Sequence, residues 1–160
     1  YTDSVSGPAR DAAKNVGKLA PGLSYRLYHG VWEMLPDFAS LTPAKEGVAT
    51  EVNMGLTQRR DALALDFNGY FYAAQEGVYL FHLRSNDGSK LYLGNEVLID
   101  NDGLHKITVK SAITTLKKGY HPIRVSYFEA GGQEDLGLSV EGPGFAKTPV
   151  TASMLWHAPK

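Results

Sequence analysis

The chain has 160 residues, and its 16 Lys and Arg set against 17 Asp and Glu leave a formal charge of −1, a balance that argues against a nucleic-acid partner. The length fits one domain whose core needs no covalent staple, and the absence of cysteine removes disulfides, thiolate metal centres and cysteine nucleophiles. No window approaches the ~18 consecutive apolar residues of a membrane span.

The sequence opens on Tyr1 rather than Met and reads as a piece of something longer. Residues 1–21 are expected to form a linker or N-terminal extension, with room for a short helical turn over Ala9–Val16, and residues 22–160 a single domain. From Gly22 onward, short β-type runs are separated by Gly, Asn, Asp and Pro, the spacing of an all-β sandwich. Leu23, Tyr25 and Leu27 alternate with polar neighbours. Leu63, Leu65 and Phe67 share one face, and Asn68-Gly69 predicts a bulge or sharp bend. Tyr79, Phe81 and Leu83 point one way in a strand expected to be central, and Gly94-Asn95 suits a tight hairpin. Ile107–Leu116 and Tyr120–Phe128 read as a further pair joined by Lys117-Lys118-Gly119, with Pro122 marking an edge or a bulge. Leu136, Leu138 and Val140 alternate before the turn Gly142-Pro143-Gly144, and a last apolar segment puts Trp156 with the core aromatics.

Motifs for catalysis are missing. The histidines at 29, 82, 105, 121 and 157 have no close ligand spacing, and Gly137-Leu138-Ser139-Val140-Glu141 lacks the closing glycine of a nucleophile elbow. An autonomous glycosidase needs a carboxyl group in a pocket that raises its pKa. The one acid set within an apolar run is Asp66, which alternation assigns to the solvent face.

The polar corner Ser85-Asn86-Asp87-Gly88-Ser89 has two readings. Adjacent Asn86 and Asp87 side chains at a strand end suit a hard cation such as Ca²⁺, while Asn-Asp-Gly is also ordinary Asx-turn chemistry, the reading that composition by itself favours. Asp100-Asn101-Asp102-Gly103 lacks the glycine position and distal Glu of a calcium loop and reads as a turn. The loop Gly131-Gly132-Gln133-Glu134-Asp135 follows a strand and is expected to reach the same end of the sandwich as Asn86-Asp87. Its glycines serve either a ligand's close approach or a hairpin loop.

Gly77-Val78-Tyr79-Leu80-Phe81, Ser85 to Gly94 and Val97-Leu98-Ile99-Asp100-Asn101 together resemble the carbohydrate-associated domain named after the anthrax protective antigen, the PA-fourteen family. Gly119 to Val125, Tyr127-Phe128-Glu129 and Gly142-Pro143-Gly144 extend the likeness over about Gly22–His157. The resemblance implies an antiparallel, jelly-roll-like β-sandwich, found in secreted glycosidases, glycosyltransferases, adhesins and toxins as one module among several. In the family's adhesin branch two adjacent aspartates joined by a cis peptide hold Ca²⁺, which bridges to sugar hydroxyls while a second loop selects the glycan. Asn86 and Asp87 match that pair, with Asn86 offering a carbonyl oxygen but no charge, so a lower Ca²⁺ affinity is expected. Gly132, Gln133, Glu134 and Asp135 stand where the second loop is expected, and Tyr92 and His105 are candidate sugar contacts.

The expectation is therefore a non-catalytic, glycan-binding or accessory module of a larger secreted bacterial carbohydrate-active protein. It would lie outside the cell, in the periplasm or at the surface, beside neighbouring domains that include a glycoside hydrolase among the options. The alternative is a spacer or docking module that binds no sugar.

Overall fold

The computed structural model describes residues 8–57 and 61–160. The part of the expected extension before Pro8 lies outside the described residues. Among the described residues twelve strands follow in chain order: β1 (Ala20–Pro21), β2 (Leu23–His29), β3 (Lys45–Ala49), β4 (Leu63–Ala73), β5 (Gly77–Asn86), β6 (Ser89–Leu93), β7 (Glu96–Asn101), β8 (Thr108–Leu116), β9 (Gly119–Glu129), β10 (Asp135–Gly142), β11 (Phe145–Pro149) and β12 (Leu155–His157). Among the described residues the one helical piece is a 3₁₀ turn over Phe38–Ser40, opened by the Asp37 side chain accepting from the Ala39 N–H.

The strands form two antiparallel sheets. The larger has the order β1-β12-β4-β9-β6-β7, with β2 paired to β4 and β3 to β2; the smaller has the order β11-β10-β5-β8. Alternation decides what lies between them. Leu65, Phe67, Leu91, Val125 and Tyr127 of the larger sheet meet Tyr79, Phe81, Leu83, Leu138 and Val140 of the smaller in one buried cluster. Phe71 packs edge-on against both Tyr79 and Phe81, at 5.8 and 5.2 Å between ring centroids. A smaller cluster, Tyr28, Phe38, Ala64 and Phe128, lies on the outer face of the larger sheet under the loop that carries Phe38.

β5 is central, between β8 and β10, and Gly94-Asn95 turns the β6–β7 hairpin, as the residues predict. Five local expectations are corrected. β4 runs straight through Asn68-Gly69, in unbroken register with β9 from Leu63↔Glu129 to Ala73↔Gly119. Its other edge changes partner there, from β2, which ends at Asn68, to β12, which begins opposite Tyr70 and Phe71. Gly69 is needed because a Cβ would stand 2.2 Å from the Trp156 carbonyl oxygen. β8 and β9 do not pair: β8 joins β5 and β9 joins β4 and β6, so Lys117-Lys118-Gly119 crosses between sheets.

Pro122 sits inside β9 and not at an edge. Its carbonyl accepts from the Gly94 N–H in the β6–β7 turn, so its nitrogen faces past the end of β6, where no ladder bond is required. Ala9–Val16 forms no helical turn. Arg10 instead bridges to Leu116 in parallel, and the Ala13 N–H donates to the Tyr120 carbonyl. Trp156 is half-buried on the outer face, edge-on to Tyr120, and so stands apart from the core aromatics.

Candidate functional site

β5 ends at Asn86 and β6 begins at Ser89, so the chain reverses from the smaller sheet into the larger within two residues. The peptide between Asn86 and Asp87 is cis. Gly88 permits the reversal, since a Cβ there would stand 2.4 Å from the Phe128 ring and 2.7 Å from both an Asp102 carboxylate oxygen and the Gly103 nitrogen. Ser85 Oγ donates to the Asp87 carbonyl at 2.8 Å and takes a 2.6 Å bond from Ser89 Oγ, a small buried network beneath the corner. Asn101 is not in a turn. It closes β7, is buried, and its Nδ2 donates to the Thr108 carbonyl at 3.0 Å and to Ser85 Oγ at 3.3 Å.

Asp87 joins three segments. Its Oδ1 accepts from the His105 N–H at 3.2 Å and its Oδ2 from the Ala130 N–H at 3.0 Å, while its own backbone belongs to the corner. His105 is fixed at that end by its ring nitrogens, each 2.7 Å from a carbonyl, of Lys106 and of Asn101. The loop after β9 is brought to the same place, because Asp135 pairs directly with Asn86 across β10 and β5. Asp135 is held by Arg84 in a two-pronged ion pair of 3.0 and 3.1 Å, and Gly132 and Gln133 are exposed beyond it with Glu134 half-buried. Asn86, Asp87, His105 and Gly132 to Asp135 therefore share one end of the sandwich.

One residue of this end was not foreseen. Glu129, fully buried at the last position of β9, faces the Asp87 carboxyl. Its Oε1 accepts from the Gly131 N–H at 3.1 Å and its Oε2 lies 3.3 Å from the Tyr127 hydroxyl, whose hydrogen goes to the Asn86 carbonyl at 2.6 Å. Burial, followed by the contact with Asp87, raises the Glu129 pKa from 4.5 to about 8. Tyr127 is pushed up as well, by burial and then by the charge of Glu129. The sequence held the signal, because Glu129 has the same parity as Val125 and Tyr127 and so points inward with them.

Two candidates lie differently from the expectation. Tyr92 is outside the corner, on the outer face of the larger sheet, where the Arg124 guanidinium covers its ring at 4.9 Å. Asp66 does lie on that outer face but is buried, 7% exposed, because Arg124 Nε donates to it at 2.8 Å and Asn68 and Ser126 also reach it.

For a hard cation the corner offers the carboxylate oxygens of Asp87 and Glu129, and among the described residues neither carboxylate has a cationic side chain against it. Among the described residues no cluster of three or more His, Cys, Asp or Glu forms a ready cage, so other ligands would have to come from carbonyls, water or a bound molecule.

The sequence model of the PA14 domain matches residues 19–152. The chain belongs to the PA14 domain family. Its fold is that of the PA14 domain of the MpAFP antifreeze protein, with a TM-score of 0.72 at 17% identity, covering 93% of this chain and 96% of that one. The PA14 sugar-binding domain from an RTX adhesin gives 0.73 at 15% identity over 86% and 99% of the two chains. The epithelial adhesin 9 A domain of Candida glabrata, solved in complex with Galβ1-3GlcNAc, gives 0.68 at 11% identity over 92% and 93%. A β-hexosaminidase of Porphyromonas gingivalis (strain ATCC BAA-308 / W83) is 28% identical over 122 residues, 69% of this chain but 15% of the length of that protein. Among the described residues no helix is long and apolar enough to cross a membrane.

Proposed function

We propose that this PA14 domain is a glycan-binding module whose primary site is the Asn86–Asp87 corner, completed by His105 and by the loop Gly132, Gln133, Glu134 and Asp135. The observation that carries the reading is Asp87, a 7%-exposed carboxylate whose two oxygens accept from two different loops and leave further lone pairs for a ligand. A buried acid placed at a junction of three segments, in a family that includes a sugar-binding adhesin domain, suits recognition of vicinal hydroxyls.

Asp87 and the Asn86 amide oxygen would hold Ca²⁺, and Glu129 below them would balance its charge by giving up its proton as the ion binds. The ion, when bound, supplies a positive centre for sugar hydroxyls. This chain's residues position that centre: Tyr127 fixes the Asn86 carbonyl, Gly88 allows the reversal, and Arg84 holds Asp135 at the rim. The role is binding, exercised outside the cell or at its surface as part of a longer carbohydrate-active protein.

A glycan array probed with the chain in Ca²⁺, in EDTA, and as Asp87→Ala tests it. The expected result is a set of glycans retained in Ca²⁺ and lost in both other conditions. A Ca²⁺-dependent set that Asp87→Ala leaves intact, or an array on which no retained glycan depends on Ca²⁺, moves the primary site elsewhere, and no retention at all favours a spacer that docks on its neighbours.

A further inference from the structure

The outer face of the larger sheet carries a second surface, at the other end of β6 from the corner. Register sets Ser24, Asn68, Arg124 and Tyr92 side by side on the neighbouring strands β2, β4, β9 and β6. They floor a groove of about 590 Å³ into which Tyr70 and Asn95 also project. A second groove, of about 570 Å³, shares Ser24, Asn68 and His157 with the first, so the two join into one track across the strands. Each is of the size that holds a small organic ligand.

The floor is rigid and carries spare donors. Arg124 is anchored through Nε on buried Asp66 and lies between the rings of Tyr92 and Phe38, at 4.9 and 5.7 Å from their centroids. Its two Nη groups and the hydroxyls of Tyr70 and Tyr92 have no hydrogen-bond partner among the described residues. Tyr70 is edge-on to Tyr120, and Tyr120 to Trp156, so half-buried rings continue the surface beyond the groove. Asp66 already balances the one cation of the row. An anionic ligand therefore finds little net attraction, whereas a ligand with apolar faces and many hydroxyls meets both stacking surfaces and fixed donors.

We infer that this track binds a neutral oligosaccharide chain, stacked on Tyr92 and Tyr70 and hydrogen-bonded by Arg124 and Asn68, without a metal. The site is separate from the corner and stands whether or not the corner binds sugar. Its length, two joined grooves, suits several consecutive rings of a polysaccharide better than a single terminal sugar.

The test is calorimetric titration of the whole chain in EDTA with chitohexaose, cellohexaose, xylohexaose and mannohexaose, and with trigalacturonate as the acidic comparison. The expected result is binding of at least one neutral hexasaccharide, unchanged in Asp87→Ala and weakened about tenfold in Tyr92→Ala, the loss of one stacking partner. Asn68→Ala, which leaves Arg124 on Asp66, serves as the second variant and is expected to weaken binding while keeping the melting temperature. Binding of trigalacturonate alone overturns the neutral-chain assignment. Absence of any binding in EDTA, or loss in Asp87→Ala with retention in both groove variants, overturns the site. Failure of the corner reading shows separately, as a Ca²⁺-dependent array signal that Asp87→Ala leaves intact.

Discussion

Glu129 is an acid that the fold keeps from ionising. With its pKa at about 8 in the native chain against 4.5 ordinarily, the folded state holds a proton that the unfolded chain releases between those values. Its contribution to stability is therefore full below about pH 4.5, declines as the pH rises, and is gone above about 8. Thermal melting in EDTA across that range should show the decline, and Glu129→Gln, which stays neutral and keeps most of the contacts, should flatten it. Asp87 behaves otherwise, since its two oxygens satisfy the N–H groups of His105 and Ala130. Asp87→Ala should lower stability by roughly 1–3 kcal/mol for each donor left buried without an acceptor, measurable by urea unfolding. The sequence singled out Asp87 because its type and neighbours are visible locally. It did not separate Tyr92 from the corner, because the parity of β6, with Ser89 and Leu91 facing inward, is fixed by the sheet and sends Tyr92 outward.

At the scale of elements, β4 is the hub, flanked on one side by β9 along its whole length and on the other by β2 and then β12. Gly69 is where that second edge is handed over, and its missing Cβ lets the Trp156 carbonyl approach. Gly69→Ala should cost roughly 1–3 kcal/mol through overpacking and loosen β12 first, seen as faster amide exchange at residues 155–157. Across the smaller sheet, Ser111 on β8, His82 on β5 and Glu141 on β10 make a hydrogen-bonded line of 2.6 and 2.9 Å. It ties three strands together on their outer face, and His82→Ala should destabilise by about 1 kcal/mol. Strand identities were largely legible in the alternation of residues such as Tyr79, Phe81 and Leu83. The partners of β8 and β9 were not, because a three-residue link serves a hairpin or a crossing between sheets equally well, and only long-range pairing chooses. The burial of Asp66 was hidden for a similar reason, since its cover, Arg124, comes from 58 residues further along the chain.

At the scale of the whole molecule, the two sheets are joined by their shared core and, between β7 and β8, by the side chains of Asn101 and Lys110 and by an arginine that comes from outside both sheets. Arg10 Nε donates to Thr114 Oγ1 on β8 of the smaller sheet at 2.9 Å, and its Nη1 reaches Glu96 on β7 of the larger at 3.0 Å. We propose that the folding unit extends back to this residue, beyond the boundary at residue 22 that composition suggests. A chain begun at Lys18 should melt at a lower temperature than the chain of 160 residues, by several degrees if the loss is about 1 kcal/mol. The backbone around Arg10 has a further effect. It bonds to Thr115 and Lys117 and so occupies the final stretch of the β8 edge, a strand whose outer row of amides and carbonyls would otherwise be available to another chain. Without that segment β8 offers a template for strand addition, and the shortened chain should self-associate as its concentration rises. The stretch that looks in the sequence like a tether is then also a guard against aggregation.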